Sequence, residues 1–544
     1  MRVTARPQPG ALAFPLTALG GALALYAILV VATIIATGGV FEYPLDDPYI
    51  HLALAEQIAQ GNYGINAGEM SSPGSSPLFP LLLTPFAGSP VQRFLPALWN
   101  LVGLAVSAWL WGRLLFEAGY ARVGWRRFGY AIAGLGPAVL LMPQVALLGM
   151  EHALHAAAAL AVVLGLMRHF SGERPGGPTL VVVGALLSSA FRFEAMALGL
   201  LAGVALFFTG RRGAGVLAAL CAFLPIIVFM GVLTSLGLDP TPSSVQVKLE
   251  GDTVGVQSPI ASFFLDRLLN LLKPGGILVV VLIVSLLVMR RVLAGVGENR
   301  FGWLAVTVIG AGVAHLLVGQ IGWMNRYEHY LVVGLVASLV ALLPRVDLEP
   351  ASPRTSPPTP APRPAPRPAF AIALAAIFIA PFYAYQPGGT VHLPGGAQAI
   401  FTQQGQMARF ARDVLDAPVA VNDIGRVAWR NPNYVLDLWG LASSEAREIR
   451  LGHPTPGWTG NLTEKHDVPV AMVYDHWFQG ATGPDWVRMG QFELTVPTRF
   501  LGGPAVGFYA TTPASVDKLR AKLLEWIPTL APDSRFIWEE GMEP

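Results

Sequence analysis

Two adjacent acids, Asp46 and Asp47, stand where the chain leaves its first long apolar stretch. They belong to segment 41–80, FEYPLDDPYIHLALAEQIAQGNYGINAGEMSSPGSSPLFP. A carboxylate at a membrane boundary is costly unless it is solvated or put to use. Asp before Pro suits a helix start, so Asp47 can cap a helix over 48–60 as well as serve a site. Asp46 has no such duty and is the candidate general base. A base within hydrogen-bond reach contributes roughly 10²–10⁴-fold to a rate. His51 lies one helical turn after Asp47 on the same side, open to a structural hydrogen bond or a site role. Ile50, Leu54 and Ile58 form another stripe, which predicts a helix resting in the membrane interface. Asn66 and Glu69 lie among turn formers and can meet polar hydroxyls, or simply be solvated.

Further charges recur at other helix ends. Glu151, in Gly149-Met150-Glu151-His152, is either a helix-start acid or a site residue. Arg192 and Glu194 interrupt apolar sequence; they can neutralise one another, and a guanidinium also suits bidentate phosphate binding. Arg326 and His329 belong to NRYEHY, the densest polar cluster at a membrane boundary, and can hold a lipid phosphate between Tyr327 and Tyr330. Lys248 is a further cation able to meet phosphate.

These side chains need a frame, and composition supplies it. The 544 residues are 53% hydrophobic and 13% charged, against about 25% charged in soluble domains. A polytopic α-helical membrane protein follows. The net charge of +2 gives no field for nucleic acid. Single Cys221 excludes a disulfide framework and a thiolate metal cluster. Apolar runs near 13–40, 92–116, 128–148, 152–168, 179–193, 195–210, 214–236, 275–293, 301–321, 329–344 and 369–385 predict about 11 membrane helices. Under that count the arginines of alternate loops all fall on one side, from Arg2 and Arg6 through Arg290, Arg291 and Arg300 to Arg367. Positive-inside bias makes that side cytoplasmic, with Asp46, Glu151, Arg192 and Arg326 opposite.

Four regions result: a membrane module over 1–348 with outer loop 41–80; a cytoplasmic Pro-rich linker over 349–368; a last span over 369–385; and an outer α/β or α+β domain over 386–544. In that domain, helices are predicted over 398–415 and 515–526. Strands are predicted over 418–422, 434–438, 468–474, 492–496 and 506–510. No Walker A, Rossmann glycine fingerprint, GxSxG, HExxH or CxxC motif occurs, which argues against a nucleotide-driven pump and a zinc protease.

The first loop resembles one family. DDPYI at 46–50, the helix ending in AQG at 59–61, Gly68-Glu69 and the SPL at 76–78 are similar to the first outer loop of the GT-C superfamily of polyprenyl-phosphate-sugar glycosyltransferases. The likeness is to the branch holding the mycobacterial terminal arabinofuranosyltransferase. Gly149–Glu151, Arg326-Tyr327, VNDIG at 421–425 and LDLWGL at 436–441 resemble further family blocks. Pro48 stands where small residues are usual, and Phe193 where the family tends to proline.

The resemblance implies a GT-C-like fold and a multi-pass enzyme of the bacterial inner membrane, N-terminus cytoplasmic and C-terminal domain periplasmic. It implies a polyprenyl-phosphate sugar donor and a glycan, lipid or protein acceptor. Asp46 would deprotonate the acceptor, assisted by Asp47. Substrate would meet His51, Glu69, Glu151, Arg192, Glu194, Lys248, Arg326 and His329. A divalent cation (Mg, Mn or Ca) held by Asp46, Asp47 and Glu151 is compatible with carboxylate chemistry, although no spacing demands it. The tryptophans of the outer domain, Trp429 and Trp439 among them, offer sugar-stacking or core-packing faces. The competing expectation is a transporter or flippase of a lipid-linked or anionic substrate, which commonly shows internal repeats; none is evident.

Overall fold

The computed structural model describes residues 11–172, 175–249, 259–346, 390–452, 454–497 and 499–544. Linker 349–368 and the span expected over 369–385 lie outside this set. Apolar sequence without interruption makes helices here because lipid leaves backbone groups no other partner. Seven helices are long and apolar enough to cross a membrane among the described residues: Ala13–Ala36 (α1), Pro90–Ala118, Arg126–Leu147, His152–Ser171, Arg212–Ser235, Pro274–Gly295 and Asn299–Val318. Gly177–Phe191, Phe193–Phe208 and His329–Arg345 are shorter apolar helices. These ten occupy the first ten expected positions, so the count of 11 rests on a segment outside the described residues.

The chain alternates between two ends of the bundle. At one end Arg168 pairs with Glu117 and Arg345 reaches the Ser171 hydroxyl. At the other, Arg326 pairs with Asp47 and Arg192 with Glu151. Arg168 and Arg345 thus lie at the end away from Asp47 and Glu151.

The C-terminal domain holds a mixed six-stranded sheet. Its strands are β1 Val419–Val421, β2 Val435–Asp437, β3 Val470–Val473, β4 Val487–Leu494, β5 Ala505–Ala510 and β6 Ser534–Trp538, in the order β2-β1-β3-β5-β4-β6. β1 runs parallel to β2 and β3, and the other pairings are antiparallel. β1, β2 and β3 are wholly buried, matching their apolar runs. The edge strand β6 is not among the expected strands, because the polarity of SRFIW does not alternate, although its residues alternate between half-buried and exposed. The expected helix 398–415 forms as three consecutive pieces, Leu393–Thr402, Gln404–Arg409 and Phe410–Leu415.

Segment 41–80 does not rest on the membrane interface as its stripe suggests. Its helix, Asp47–Ala59 (α2), is buried continuously from Pro48 to Glu56. One side packs on the bundle. The other shares a hydrophobic core with the sheet domain, where Tyr49, Ile50, Leu52, Ile65 and Phe79 join Phe410, Ile424 and Trp429. Burying such a side chain stabilises by about 1.5–3 kcal/mol. A stripe sufficient for one apolar face is exceeded because Tyr49 and Leu52 fill the face that lipid-surface helices leave to water.

Candidate active site

The site starts at the entry to α2. Asp46 occupies the N-cap position, yet its carboxylate makes no bond to its own helix. It accepts the backbone N–H of Gly425 at 2.7 Å and of Arg426 at 2.8 Å. Those amides open the short helix Gly425–Ala428 (α3) of the sheet domain. Only glycine permits this approach: a Cβ on Gly425 would lie 2.3 Å from the Asp46 carbonyl oxygen and 2.7 Å from its Oδ2. Asp47, the next residue, reaches across to another segment. Its Oδ1 accepts from Arg326 Nη2 at 2.7 Å.

Asp46 is held above the ordinary carboxylate range. Burial contributes most, and the charge of Asp423 adds to it, outweighing the two amides. Asp423 is raised in turn, chiefly by burial. Gln404 Nε2 donates to it at 2.8 Å. Asp423 is not among the expected site residues; the signal for it in VNDIG is an acid two residues before a required glycine. Glu42 was also overlooked. It is fully buried between Arg93 and Arg426, and Tyr49 donates its hydroxyl to it.

The two arginines assigned to phosphate differ. Every nitrogen of Arg192 is engaged: Nη1 donates to Glu151 and to Ser75 at 2.8 Å, and Nη2 and Nε donate to Glu194 at 2.7 and 3.2 Å. It sits at the extended break between two helices and ties together 75, 151 and 194. Arg326 is 2% exposed. Its Nη2 meets Asp47 and Tyr327, while Nε and Nη1 have no hydrogen-bond partner among the described residues. It follows three consecutive residues in the left-handed region, Trp323, Met324 and Asn325. Tyr327 lies under both guanidiniums, 5.1 Å from Arg326 and 5.6 Å from Arg192.

The remaining candidates divide. His51 is buried, with Nε2 3.9 Å from Glu151 Oε2. Its ring meets the Phe79 ring edge-on. Glu69 accepts from Asn66 Nδ2 at 2.7 Å and from the Tyr434 hydroxyl at 3.3 Å, joining the loop to the sheet domain rather than facing Arg326. His329 Nε2 lies 2.8 Å from the Leu140 carbonyl, beside the left-handed Leu141. Lys248 falls in the helix Ser243–Leu249, its side chain outside the described set. Glu151, fully buried and bound to Arg192, is not gathered with Asp46 and Asp47 into one metal-ligand set. Among the described residues no group of three His, Cys, Asp or Glu could hold a metal ion. Trp429 is packed in the shared core, with Nε1 donating to Gln92, so it offers no open stacking face.

Two cavities lie toward the C-terminal end of α2, and neither is lined by Asp46, Asp47 or Arg326. One of about 470 Å³ is lined mainly by apolar groups, including Tyr63, Leu78, Pro225 and Phe229, and reaches Ala190 beside the Arg192 break. The other, of about 610 Å³, lies between α2 and the sheet domain and is lined by Gln57, Gln60, Arg430, Asn431 and Asn433 among others.

A family model described as a domain of unknown function (DUF8728) matches residues 398–509, a span that contains Asp423, Gly425 and Arg426. No curated protein matches the chain. Among solved structures, the chain is similar to a cryo-EM structure of the arabinofuranosyltransferase AftD from Mycobacteria, with 14% identity and a TM-score of 0.41. The match covers 90% of this chain and 41% of that one, so the chain spans well under half of that protein's length.

Proposed function

We propose that this chain is an inverting membrane glycosyltransferase. It moves a sugar from a polyprenyl-phosphate donor to a hydroxyl of a cell-envelope glycan, lipid or protein. The reaction takes place at the outer face of a bacterial inner membrane. The observation that carries the reading is Arg326: a buried guanidinium with two uncommitted nitrogens, Nε and Nη1, paired with Asp47 and one residue removed from the raised carboxylate Asp46. A guanidinium so placed is suited to a phosphate, and charge-assisted bonds in a dry site are strong. The family resemblance of loop 41–80 supports the same assignment.

In this reading the acceptor hydroxyl gives its proton to Asp46 as its oxygen attacks the anomeric carbon. The bond from that carbon to the phosphate oxygen breaks, and polyprenyl phosphate leaves with the electron pair. Arg326 stabilises the charge that develops on the leaving phosphate. Arg192, with every nitrogen engaged, holds 75, 151 and 194 in place and acts through them. The apolar cavity beside Ala190 suits an isoprenoid chain.

The test is turnover of a panel of polyprenyl-phosphate sugars by the purified chain. Asp46→Asn should lower kcat by about 10²-fold or more while donor binding persists. Arg326→Ala should weaken donor binding by at least about tenfold. Unimpaired transfer by Asp46→Asn removes it as the base. If the wild type consumes no lipid-linked sugar but moves a solute across vesicles, the transport alternative replaces this one.

A further inference from the structure

We infer that the bundle end opposite Asp46 carries a binding site for one anionic phospholipid, between Pro274–Gly295 and Asn299–Val318. A cavity of about 770 Å³ lies there, with Leu287, Val288 and Val306 on its apolar wall and Arg290, Arg291 and Trp303 toward its polar end. Leu287, Val288 and Val306 are 47%, 59% and 36% exposed. On helices apolar enough to cross a membrane, that surface belongs to acyl chains. Arg290 lies sixteen residues past Pro274, about 24 Å along the helix. This places the guanidiniums near the far boundary of a hydrocarbon layer about 30 Å thick.

Among the described residues no acid neutralises the charge at this spot. At the same end, Arg113 and Arg168 both pair with Glu117. Arg290 and Arg291 are exposed and have no acidic partner among the described residues. Trp303 stacks on Phe208 at 6.1 Å, nearly parallel. That fixes an indole at the depth where tryptophan meets headgroups. Basic pockets between membrane helices take anionic headgroups in this way. A free phosphate would engage the arginines but leave the apolar wall unused. A diacyl lipid with a phosphodiester head uses both.

The site can be probed on the full chain in neutral detergent, by native mass spectrometry and thermal shift with phosphatidylglycerol or phosphatidylcholine. Phosphatidylglycerol should be retained at least about fivefold better and should raise Tm more. Arg290→Gln/Arg291→Gln should erase that preference. Arg290→Lys/Arg291→Lys should keep most of it, which separates lost charge from a damaged fold. Arg211→Gln/Arg212→Gln, an arginine pair at the same bundle end, should leave it unchanged. Equal retention of the two lipids, a preference surviving the glutamine pair, or an equal loss from Arg211→Gln/Arg212→Gln would overturn the site. Displacement by glycerophosphate at equal concentration would make it a phosphate site and overturn the lipid assignment.

Discussion

Asp46 carries its charge into a place where Asp423 already opposes it, and burial opposes it further. A carboxyl held above its ordinary value is a stronger base once ionised, but it must first lose its proton. The sign follows: the acid limb of the rate lies above the ordinary carboxylate range, and activity rises as pH climbs through the raised value of Asp46. Because the folded state keeps its proton longer than the unfolded chain, stability from this group falls over the same interval. Asp423→Asn removes one of the two main raising causes. We predict that it shifts the acid limb of kcat/KM to lower pH, read from a pH–rate profile; an unmoved limb would detach Asp423 from the base. At this scale the sequence showed which residues were charged but not how far each was satisfied. Arg192 and Arg326 look alike in the chain. They differ because Ser75, Glu151 and Glu194, from three separate segments, converge on one and not the other.

Short elements do the positioning. α3 is only four residues long, yet its first two amides hold the carboxylate of Asp46. We predict that Gly425→Ala, whose methyl would overlap the Asp46 carbonyl, separates the two. Transfer should fall by at least about tenfold while the sheet domain keeps its own melting transition. Transfer at the wild-type rate would show that the contact is dispensable. The turn before Arg326 is the second device. Three non-glycine residues in the left-handed region cost about 1–2 kcal/mol each. Such strain persists where surroundings over-determine it, here through Arg326 on Asp47. Hydropathy located the long helices to within a few residues, because lipid permits few alternatives. It did not reveal that both acids bond away from α2. Cap propensity is a local preference, and contacts hundreds of residues distant overrode it.

At the scale of the whole chain, loop 41–80 and the sheet domain are one packed body. Besides the shared core, Asn66 brackets Val435 by both its N–H and its carbonyl, and Glu56 accepts from Arg430 N. We predict that Trp429→Ala, which empties part of that core and frees Gln92, destabilises by about 3–5 kcal/mol. Hydrogen exchange in 41–80 should rise while exchange in α1 stays slow; unchanged protection of the loop would mean that the core is not shared in solution. Sequence alone separated these regions, since membrane and soluble compositions differ sharply and a Pro-rich stretch divides them. It had no means of showing that a loop near residue 50 completes a domain near residue 430. That separation sets a schedule. Asp46 and its amide partners stand 379 and 380 residues apart, and synthesis adds about 5–20 residues per second. For roughly 20–80 seconds after emerging, the acidic loop of each new molecule must wait at the membrane with its apolar face uncovered. During that interval the nascent chain is open to capture by chaperones, proteases or a neighbouring copy.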